Sequence, residues 1–266
     1  MQTSSTSGLT TVASAATAAA SGGSGTAATA SVVGTTATTT SSLLSYLNPF
    51  AYTSNTLFYT FSLIKFGFTF YMFYKGKLPV WFARYFGRLV HFATLPIIVT
   101  LQYVGLRGHL IDRVDDHVWI GSAPMPWDVP LLKQNRIEAV VNMCDEYYGP
   151  LSVYEKLGIR SIRFDVVDHY EPSVGEIASA IQFIEQAVQN NQNVLVHCKA
   201  GRGRSAAVLI CWIAYSKNMS LDHAQKYLQD HRPRVRKTLY RQKNVLAFYS
   251  KYCCSSNARD SLNTDL

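Results

Sequence analysis

The sequence predicts an α/β domain with a central, mostly parallel sheet flanked by helices, preceded by an apolar N-terminal extension. Short runs rich in β-branched residues alternate with segments that repeat apolar residues at helical spacing, a pattern typical of parallel sheets with crossover helices. One strand leads into a glycine-rich loop and then a helix, at 193–205. The chain has 266 residues and a net charge of +8, spread over three unlike parts.

Each element is predicted from its own local pattern. Strands are expected near Val118–Gly121, Ala139–Met143, Ser161–Phe164 and Val194–His197. Helices are expected over Pro126–Gln134, Ser173–Gln189, Arg204–Tyr215, Leu221–Gln229 and Leu239–Lys251. Ser173 and Glu176 have the spacing of a capping box, which indicates a helix start. The final helices have no partner strand, so we expect them to pack behind the glycine-rich loop.

The loop from His197 to Ser205 carries the most specific chemistry. Five residues, two of them glycines, separate Cys198 from Arg204. Such a loop directs backbone N–H groups and a helix N-terminus at one point, where a phosphate dianion fits. Arg204 would hold the phosphate oxygens with a planar, two-pronged donor. In this positive field we expect the Cys198 thiol to ionise below neutral pH and act as a nucleophile. Ser205 can donate to the sulfur and help it leave.

A buried core cysteine beside an ordinary turn is the simpler interpretation of such a residue. It explains Cys144 and Cys211, but it does not explain the spacing of Cys198 and Arg204 with basic residues inside the loop.

Cysteine chemistry on a phosphate ester also needs a carboxyl group that gives and later takes a proton. The segment between the third strand and the next helix offers Asp165, Asp168 and Glu171. Asp168, in the middle of this loop, is the candidate acid, and Asp165 is the alternative. A solvated turn carboxylate is the simpler interpretation of Asp165 and Glu171.

These residues resemble the dual-specificity branch of the cysteine-dependent protein tyrosine phosphatases, and more narrowly the mitochondrial phosphatidylglycerophosphate phosphatase subfamily. The resemblance runs from about Asp112 to Tyr252, and it implies the dual-specificity phosphatase fold. It implies that Asp168 donates the proton, that Cys198 forms a phosphocysteine and that Arg204 holds the phosphate. His197 would orient the loop and support the low thiol pKa. The matching residues are 119–124, 140–143, Asp168 with 172–173, 197–205, 232–235 and 242–243.

No metal ion or cofactor is expected. The chain has five cysteines, an odd number, and they lack the Cys-x-x-Cys spacing of a zinc site or a disulfide framework. The phosphate would be bound by the loop alone, through Lys199, Ala200, Gly201, Arg202, Gly203 and Arg204.

The loop also bears on the substrate. Lys199 and Arg202 place two extra cations beside the phosphate, which favours an acidic phospholipid, and the resemblance suggests phosphatidylglycerophosphate. The alternatives are a phosphoinositide phosphatase, a protein tyrosine or serine/threonine phosphatase, and a membrane-tethered phosphate-binding module that has lost catalysis. The basic residues after the helix at Leu221–Gln229 could cap that helix or contact anionic lipid: Arg232, Arg234, Arg236 and Lys237.

The N-terminal parts have a different composition. Residues 1–42 contain no charged side chain and are expected to be disordered. Residues 43–111 are apolar and basic, and the first 111 residues carry +6 of the net charge. Within them, Thr56–Tyr74 is long enough to cross a bilayer but has Lys65 at its centre, and Leu89–Leu106 is a second, shorter candidate.

We therefore expect 43–111 to associate with a membrane, 112–254 to form the catalytic domain and 255–266 to be a flexible tail. The apolar helices should bury their surface away from the catalytic domain, because that domain is complete without them. The partners expected are a membrane and an acidic phospholipid, with no nucleic acid. The resemblance favours mitochondria, and composition alone also permits the endoplasmic reticulum.

Overall fold

The structure is a computed structural model that describes residues 49–106 and 108–254, with side chains from residue 55 onward. The region predicted to be disordered, 1–42, and the predicted flexible tail, 255–266, lie outside the described residues. Contacts divide the chain into two units, Met1–Phe58 and Tyr59–Leu266. The described part of the first unit is the start of a helix, and the second unit contains all the strands.

Five strands and eight α-helices are found in the described residues. The strands are β1 (Ile111–Arg113), β2 (Val118–Gly121), β3 (Ile137–Asn142), β4 (Arg160–Arg163) and β5 (Asn193–His197). The helices are α1 (Pro49–Tyr74), α2 (Val80–Tyr103), α3 (Val129–Gln134), α4 (Leu151–Lys156), α5 (Val174–Gln189), α6 (Arg204–Lys217), α7 (Leu221–His231) and α8 (Lys243–Tyr252).

All four predicted strands and all five predicted helices of the catalytic part are present. Short 3-10 turns at Pro126–Asp128 and Leu239–Arg241 precede α3 and α8, so these two helices begin later than predicted. Strand β1 and helix α4 were not predicted from the sequence. Both are too short to show a clear period, with three and six residues respectively.

The sheet brings the glycine-rich loop to the middle of one edge. The strand order is β1-β2-β5-β3-β4, and only the pairing of β1 with β2 is antiparallel. The last residue of β5, His197, pairs with Gly121 on one side and Asn142 on the other. Because the carboxyl ends of parallel strands meet at one edge, the segments after β2, β3 and β5 converge there.

Helices cover both faces of the sheet, as predicted. Alternate residues of β5 face opposite sides, so Val194 and Val196 pack in the larger core beneath α5 to α8. Leu195 points the other way, into a smaller core that includes Leu132 of α3 and Tyr154 of α4. The final helices α7 and α8 pack on α6.

Helices α1 and α2 form a hairpin that packs partly on the catalytic part. Phe73, Ala83 and Phe86 are buried together with Val167, which precedes the candidate acid. The expectation that these helices bury their surface elsewhere is therefore wrong for this face, because α2 presents a half-buried stripe to the domain. Within the described residues, no helix combines the length and hydropathy that crossing a bilayer requires.

The capping box at the start of α5 should contribute measurably to stability. The Ser173 hydroxyl accepts a hydrogen bond from the Glu176 amide, and the Glu176 carboxylate accepts one from the Ser173 amide. We expect Ser173→Ala to lower the free energy of unfolding by about 1 kcal/mol, measured by urea denaturation. Ser216→Ala, at an exposed position inside α6, should change it by less. Equal effects of the two substitutions would contradict a capping role.

Candidate active site

The glycine-rich loop between β5 and α6 holds its shape through close backbone packing. Gly201 has a φ of +63°, and a Cβ atom there would lie 2.5 Å from the carbonyl oxygen of Gly121 in β2. Only glycine combines the left-handed conformation with so close an approach. The backbone of the loop thus packs directly against β2 at Gly201, which fixes the position of the loop.

Cys198 is buried in this loop, with hydrogen-bond donors around its sulfur. The Ser205 hydroxyl lies 3.3 Å from the Cys198 Sγ. Burial by itself raises the pKa of the thiol. The Arg204 cation and hydrogen bonds from the Ser205 side chain and from the amides of Ser205 and Ala200 outweigh burial, so the pKa falls to about 7. The thiol therefore ionises near neutral pH, slightly higher than the sequence analysis predicts.

Arg204 is buried, with 3% of its side chain exposed, and its cation is neutralised by two carboxylates. Glu146 binds it in a bidentate manner, with 2.6 Å from Nη2 to Oε1 and 2.7 Å from Nη1 to Oε2. Nη1 also donates to the carbonyl oxygen of Val166 at 2.7 Å. Asp168 Oδ1 lies 3.1 Å from Nη2. The guanidinium is thus held in one orientation from several sides.

Asp168 lies in the candidate site as predicted, paired with cations. Its carboxylate is 3.8 Å from the Lys199 Nζ as well as 3.1 Å from Arg204. Burial by itself raises the pKa of this carboxyl group, but Arg204, then His169 and Lys199, lower it to about 2. Without a bound substrate, the Asp168 carboxyl group is therefore ionised at neutral pH.

The other two acidic candidates lie elsewhere. Asp165 pairs with Arg163 and is about half exposed, at 48%. Glu171 accepts a hydrogen bond from the Asn244 amide at the start of α8. Of the three carboxyl groups in this loop, only Asp168 lines the cavity that contains Cys198.

His197 is fully buried at the end of β5, and burial lowers its pKa to about 3. Its ring is therefore neutral and adds no positive charge near the thiol. Any effect on the Cys198 pKa would come through the orientation of the loop.

The remaining residues predicted to bind phosphate, Lys199, Ala200, Arg202 and Gly203, line the same cavity as Cys198 and Arg204. Gly201 supports the loop from behind and is absent from that lining.

Arg232 has a role that the sequence analysis did not foresee. Its buried guanidinium donates to the carbonyl oxygens of Gly201 at 3.0 Å and Ala200 at 3.3 Å, and it pairs with Asp112. It therefore braces the loop from the side opposite the cavity. Arg232 is also the C-cap residue of α7, where its backbone N–H donates to the carbonyl oxygen of Leu228, and its side chain is buried away from any lipid.

The other basic residues of that segment divide between separate places. Arg236 lines the cavity beside Gly203, and its Nη2 donates to His169 Nδ1 at 3.1 Å. Arg234 donates to the carbonyl oxygen of Leu106, and Lys237 is exposed.

The cavity above the loop has a volume of about 440 Å³ and two chemically different walls. Its floor is the basic loop with Cys198, and Arg236 adds a cation at its side. The opposite wall belongs to the α1–α2 hairpin and is apolar except for one threonine and the hydroxyl of one tyrosine: Phe70, Phe73, Tyr74, Val90, Thr94, Ile97 and Ile98. The apolar segment that the sequence analysis assigned to a membrane thus also lines the candidate site.

The hairpin is tied to both loops that carry acidic site residues. Arg84 and Arg88 of α2 pair with Asp145, which is only 2% exposed, at 3.2 and 3.3 Å. Asp145 precedes Glu146, the bidentate partner of Arg204. On the other side, the His169 ring contacts Phe73 with 5.4 Å between ring centroids.

Glu146 is the main site residue that sequence reasoning missed. A signal was available, because the segment after β3 reaches the same edge of the sheet as the segment after β5. The contribution of the hairpin had no comparable signal, since an apolar helix facing a cavity and one facing lipid have similar compositions.

The unusual acidity of the thiol can be measured directly. Because the pKa is lowered, the reactive thiolate is present above about pH 7 and is lost as the pH falls below it. We expect the rate of Cys198 alkylation by iodoacetamide to rise with a midpoint near pH 7. Ser205→Ala should move this midpoint up by about one to two units, since a hydrogen bond to a charged group contributes about 1.5–3 kcal/mol. The Cys198→Ser protein reports the background from other cysteines, and a midpoint near 9 would contradict the assignment.

Comparisons with known proteins agree with this geometry. A sequence model of the dual specificity phosphatase catalytic domain matches residues 118–251. Phosphatidylglycerophosphate phosphatase PTPMT1 of Arabidopsis thaliana is 34% identical over 141 residues, which cover 52% of this chain and 42% of that protein. Phosphatidylglycerophosphate phosphatase PTPMT2 of the same plant is 29% identical over 152 residues, which cover 56% of this chain and 67% of that protein.

A solved structure also matches about half of this chain. The crystal structure of Tk-PTP in the active form aligns with a TM-score of 0.50 and 25% identity, covering 54% of this chain and 99% of that one. The matched region begins at β2, includes the Cys198 loop and ends in α8. Because the family model matches half of the chain, the chain belongs to the dual specificity phosphatase family and carries the catalytic domain of a cysteine-dependent phosphatase.

Proposed function

We propose that this protein hydrolyses the phosphomonoester of an acidic phospholipid through a phosphocysteine intermediate. The substrate we propose is phosphatidylglycerophosphate, with phosphatidylglycerol and inorganic phosphate as the products. The two Arabidopsis thaliana relatives, both named phosphatidylglycerophosphate phosphatases, support the choice of substrate.

The observation that carries the proposal is the two-sided cavity above Cys198. A lipid phosphate has an anionic group joined to an apolar body, and the cavity offers a cationic floor facing an apolar wall. Phosphorylated side chains on a protein surface do not need such a wall. Ligand sites generally combine apolar linings with a few placed polar groups, and this cavity fits that description.

In the first step the Cys198 thiolate attacks phosphorus, an S–P bond forms and the P–O bond to the glycerol breaks. Arg204 and the loop amides hold the phosphoryl oxygens, with Lys199 and Arg202 adding positive charge. Asp168 gives its proton to the leaving oxygen, so phosphatidylglycerol leaves as a neutral alcohol.

For this role Asp168 must be protonated, whereas without substrate its pKa is about 2. The Arg204 cation opposes burial and keeps this pKa low. A phosphate dianion that binds Arg204 weakens the ion pair between Arg204 and Asp168, and it places negative charge beside the Asp168 carboxylate. Both changes raise the pKa of Asp168, so binding the substrate prepares its own proton donor.

In the second step a water molecule attacks the phosphocysteine. Asp168, now a carboxylate, accepts the proton of the water, and the S–P bond breaks to release phosphate. Ser205, 3.3 Å from the Cys198 sulfur, stabilises the departing thiolate by a hydrogen bond.

The exposed surface of the hairpin supports a membrane location. Large apolar side chains on α1 remain exposed, among them Phe61 at 60%, Ile64 at 66% and Phe68 at 63%. Apolar patches of this extent mark interaction surfaces. Lys65, Lys75 and other basic residues lie among them, as in segments that bind anionic lipid. We propose that this surface contacts a membrane, and a mitochondrial membrane stays a prediction.

The catalytic proposal is tested by phosphate release from the purified protein. Cys198→Ser should abolish turnover, and Asp168→Ala should slow it by roughly 10²–10⁴. Cys254→Ser, at an exposed cysteine, is the matched control and should be fully active. Activity retained by Cys198→Ser would sink the mechanism.

The substrate proposal is tested with phosphatidylglycerophosphate, phosphoinositides and a phosphotyrosine peptide in matched detergent. We expect the highest kcat/KM for phosphatidylglycerophosphate. Preference for a phosphoinositide would agree with the extra cations of Lys199 and Arg202. It would replace phosphatidylglycerophosphate by a phosphoinositide as the proposed lipid substrate. Preference for the peptide would overturn the lipid assignment and leave the cysteine mechanism intact.

The membrane proposal is tested by flotation with phosphatidylcholine vesicles that contain phosphatidylglycerol. The full chain should float, and Phe61→Ser with Phe68→Ser should weaken vesicle binding by at least about 100-fold, since burying each aromatic side chain is worth about 1.5–3 kcal/mol. Leu246→Ser, an exposed apolar site on α8, is the control. Failure of the unmodified protein to float would contradict this proposal.

A further inference from the structure

A second cavity adjoins the one above Cys198. It has a volume of about 230 Å³ and lies between α2, the segment after β2 and α3. Ile98 of α2 and Lys199 of the glycine-rich loop line both cavities. Both cavities therefore reach Lys199, the residue that follows the candidate nucleophile.

The lining of this second cavity is mainly apolar. Trp127 and Tyr103 contribute to it and are 55% and 65% exposed, so the cavity opens to the surface on their side. The apolar lining residues besides these two aromatic ones are Leu95, Ile98, Val99, Leu110, Ala123, Met125 and Leu131.

Most polar groups of the lining are already engaged inside the protein. Gln102 donates to a backbone carbonyl at 2.7 Å, and the Ser122 hydroxyl accepts from Arg232 at 3.2 Å. Asp128 accepts from a backbone amide at 2.8 Å. Because these groups already have partners, the cavity favours an uncharged, apolar ligand. Lys199, the cation in its lining, also lines the first cavity.

His91 is the exception. It is 3% exposed, and its Nδ1 atom has no hydrogen-bond partner among the described residues. An unpaired buried polar atom costs free energy unless a ligand satisfies it. An ester or hydroxyl oxygen of a glycerol unit is a suitable partner, since the ring nitrogen can donate or accept according to its tautomer.

We propose that this second cavity is a subsite for the aliphatic chain of the substrate, entered past Ile98 and Lys199 while the phosphate lies at Cys198. The proposal deepens the lipid phosphatase function proposed above and rests on it. It commits to one occupant, a hydrocarbon chain joined to the reacting phosphate, because the cavity is mainly apolar and shares Ile98 and Lys199 with the catalytic one. It makes α2 a determinant of substrate specificity as well as a wall.

Monoalkyl phosphates of increasing length, used below their micelle concentrations, test the subsite without a bilayer. For the unmodified protein we expect KM to fall with chain length from butyl to dodecyl phosphate, by up to about 4-fold for each methylene that becomes buried. The fall should stop once the cavity is filled. p-Nitrophenyl phosphate, which has no chain, gives the reference activity.

Val99→Trp, which fills the cavity, should flatten this dependence and leave p-nitrophenyl phosphate turnover within about 2-fold, because the substituted side chain lies outside the cavity above Cys198. Leu101→Trp places the same side chain on the same helix at a position that lines neither cavity, and it should keep the dependence. Leu131→Phe narrows the cavity from α3 and serves as a second filling variant should Val99→Trp fold poorly.

The outcomes separate this proposal from the one on which it rests. A KM that does not change with chain length in the unmodified protein overturns the subsite, even if phosphatidylglycerophosphate is hydrolysed. A dependence that Val99→Trp and Leu131→Phe leave intact also overturns it. A dependence that both variants abolish supports the subsite, and it does so even if the diacyl lipid is a poor substrate and the proposed function fails.

Discussion

A buried guanidinium that must be neutralised organises the candidate site. Removing a cation from water is costly unless charged and hydrogen-bonded partners replace the lost hydration. Arg204 meets this requirement through Glu146 after β3, and through the Val166 carbonyl and Asp168 after β4. These partners lie on different segments, so the guanidinium can be satisfied only if the sheet is correctly aligned. The pairing of His197 in β5 with Asn142 in β3 provides that alignment. The same β3–β5 strand register therefore buries the core and brings the Glu146 and Asp168 carboxylates to Arg204.

The same cation sets the protonation of both reacting groups. Burial raises the pKa of Cys198 and of Asp168, and the positive charge of Arg204 lowers each pKa more than any other group does. Without substrate, the cation favours a thiolate and a carboxylate together, which is the wrong state for a proton donor. A bound phosphate dianion changes this balance more for Asp168, because the carboxylate loses an ion pair, while the sulfur keeps its hydrogen bonds from Ser205 and the loop amides. Substrate binding and acid activation are thus coupled through one side chain.

The sequence allowed the central part of this arrangement to be predicted because it is local. Cys198 and Arg204 lie in one loop whose glycines and flanking strand are contiguous, and the capping box of Ser173 and Glu176 marks the start of α5 within four residues. What could not be predicted depends on distant segments. Glu146 reaches Arg204 over 58 positions and Arg232 reaches Gly201 over 31, and nothing in the local pattern distinguishes either from a surface charge. β1 and α4 were missed for another reason, since elements so short are defined by their neighbours and not by their own period.

The α1–α2 hairpin shows how composition can support two interpretations at once. Its apolar and basic residues predicted membrane contact, and its outward side chains remain exposed in a way that fits this interpretation. Its inward stripe packs beside Asp168, and Arg84 and Arg88 pair with buried Asp145, next to the Glu146 that holds Arg204. A lipid surface that shifts α2 would therefore act on the carboxylates that neutralise the guanidinium. The same helix borders both cavities, so movement of α2 would change the apolar wall and the charge balance together. The hairpin that we propose to contact a membrane therefore also forms one side of the candidate active site.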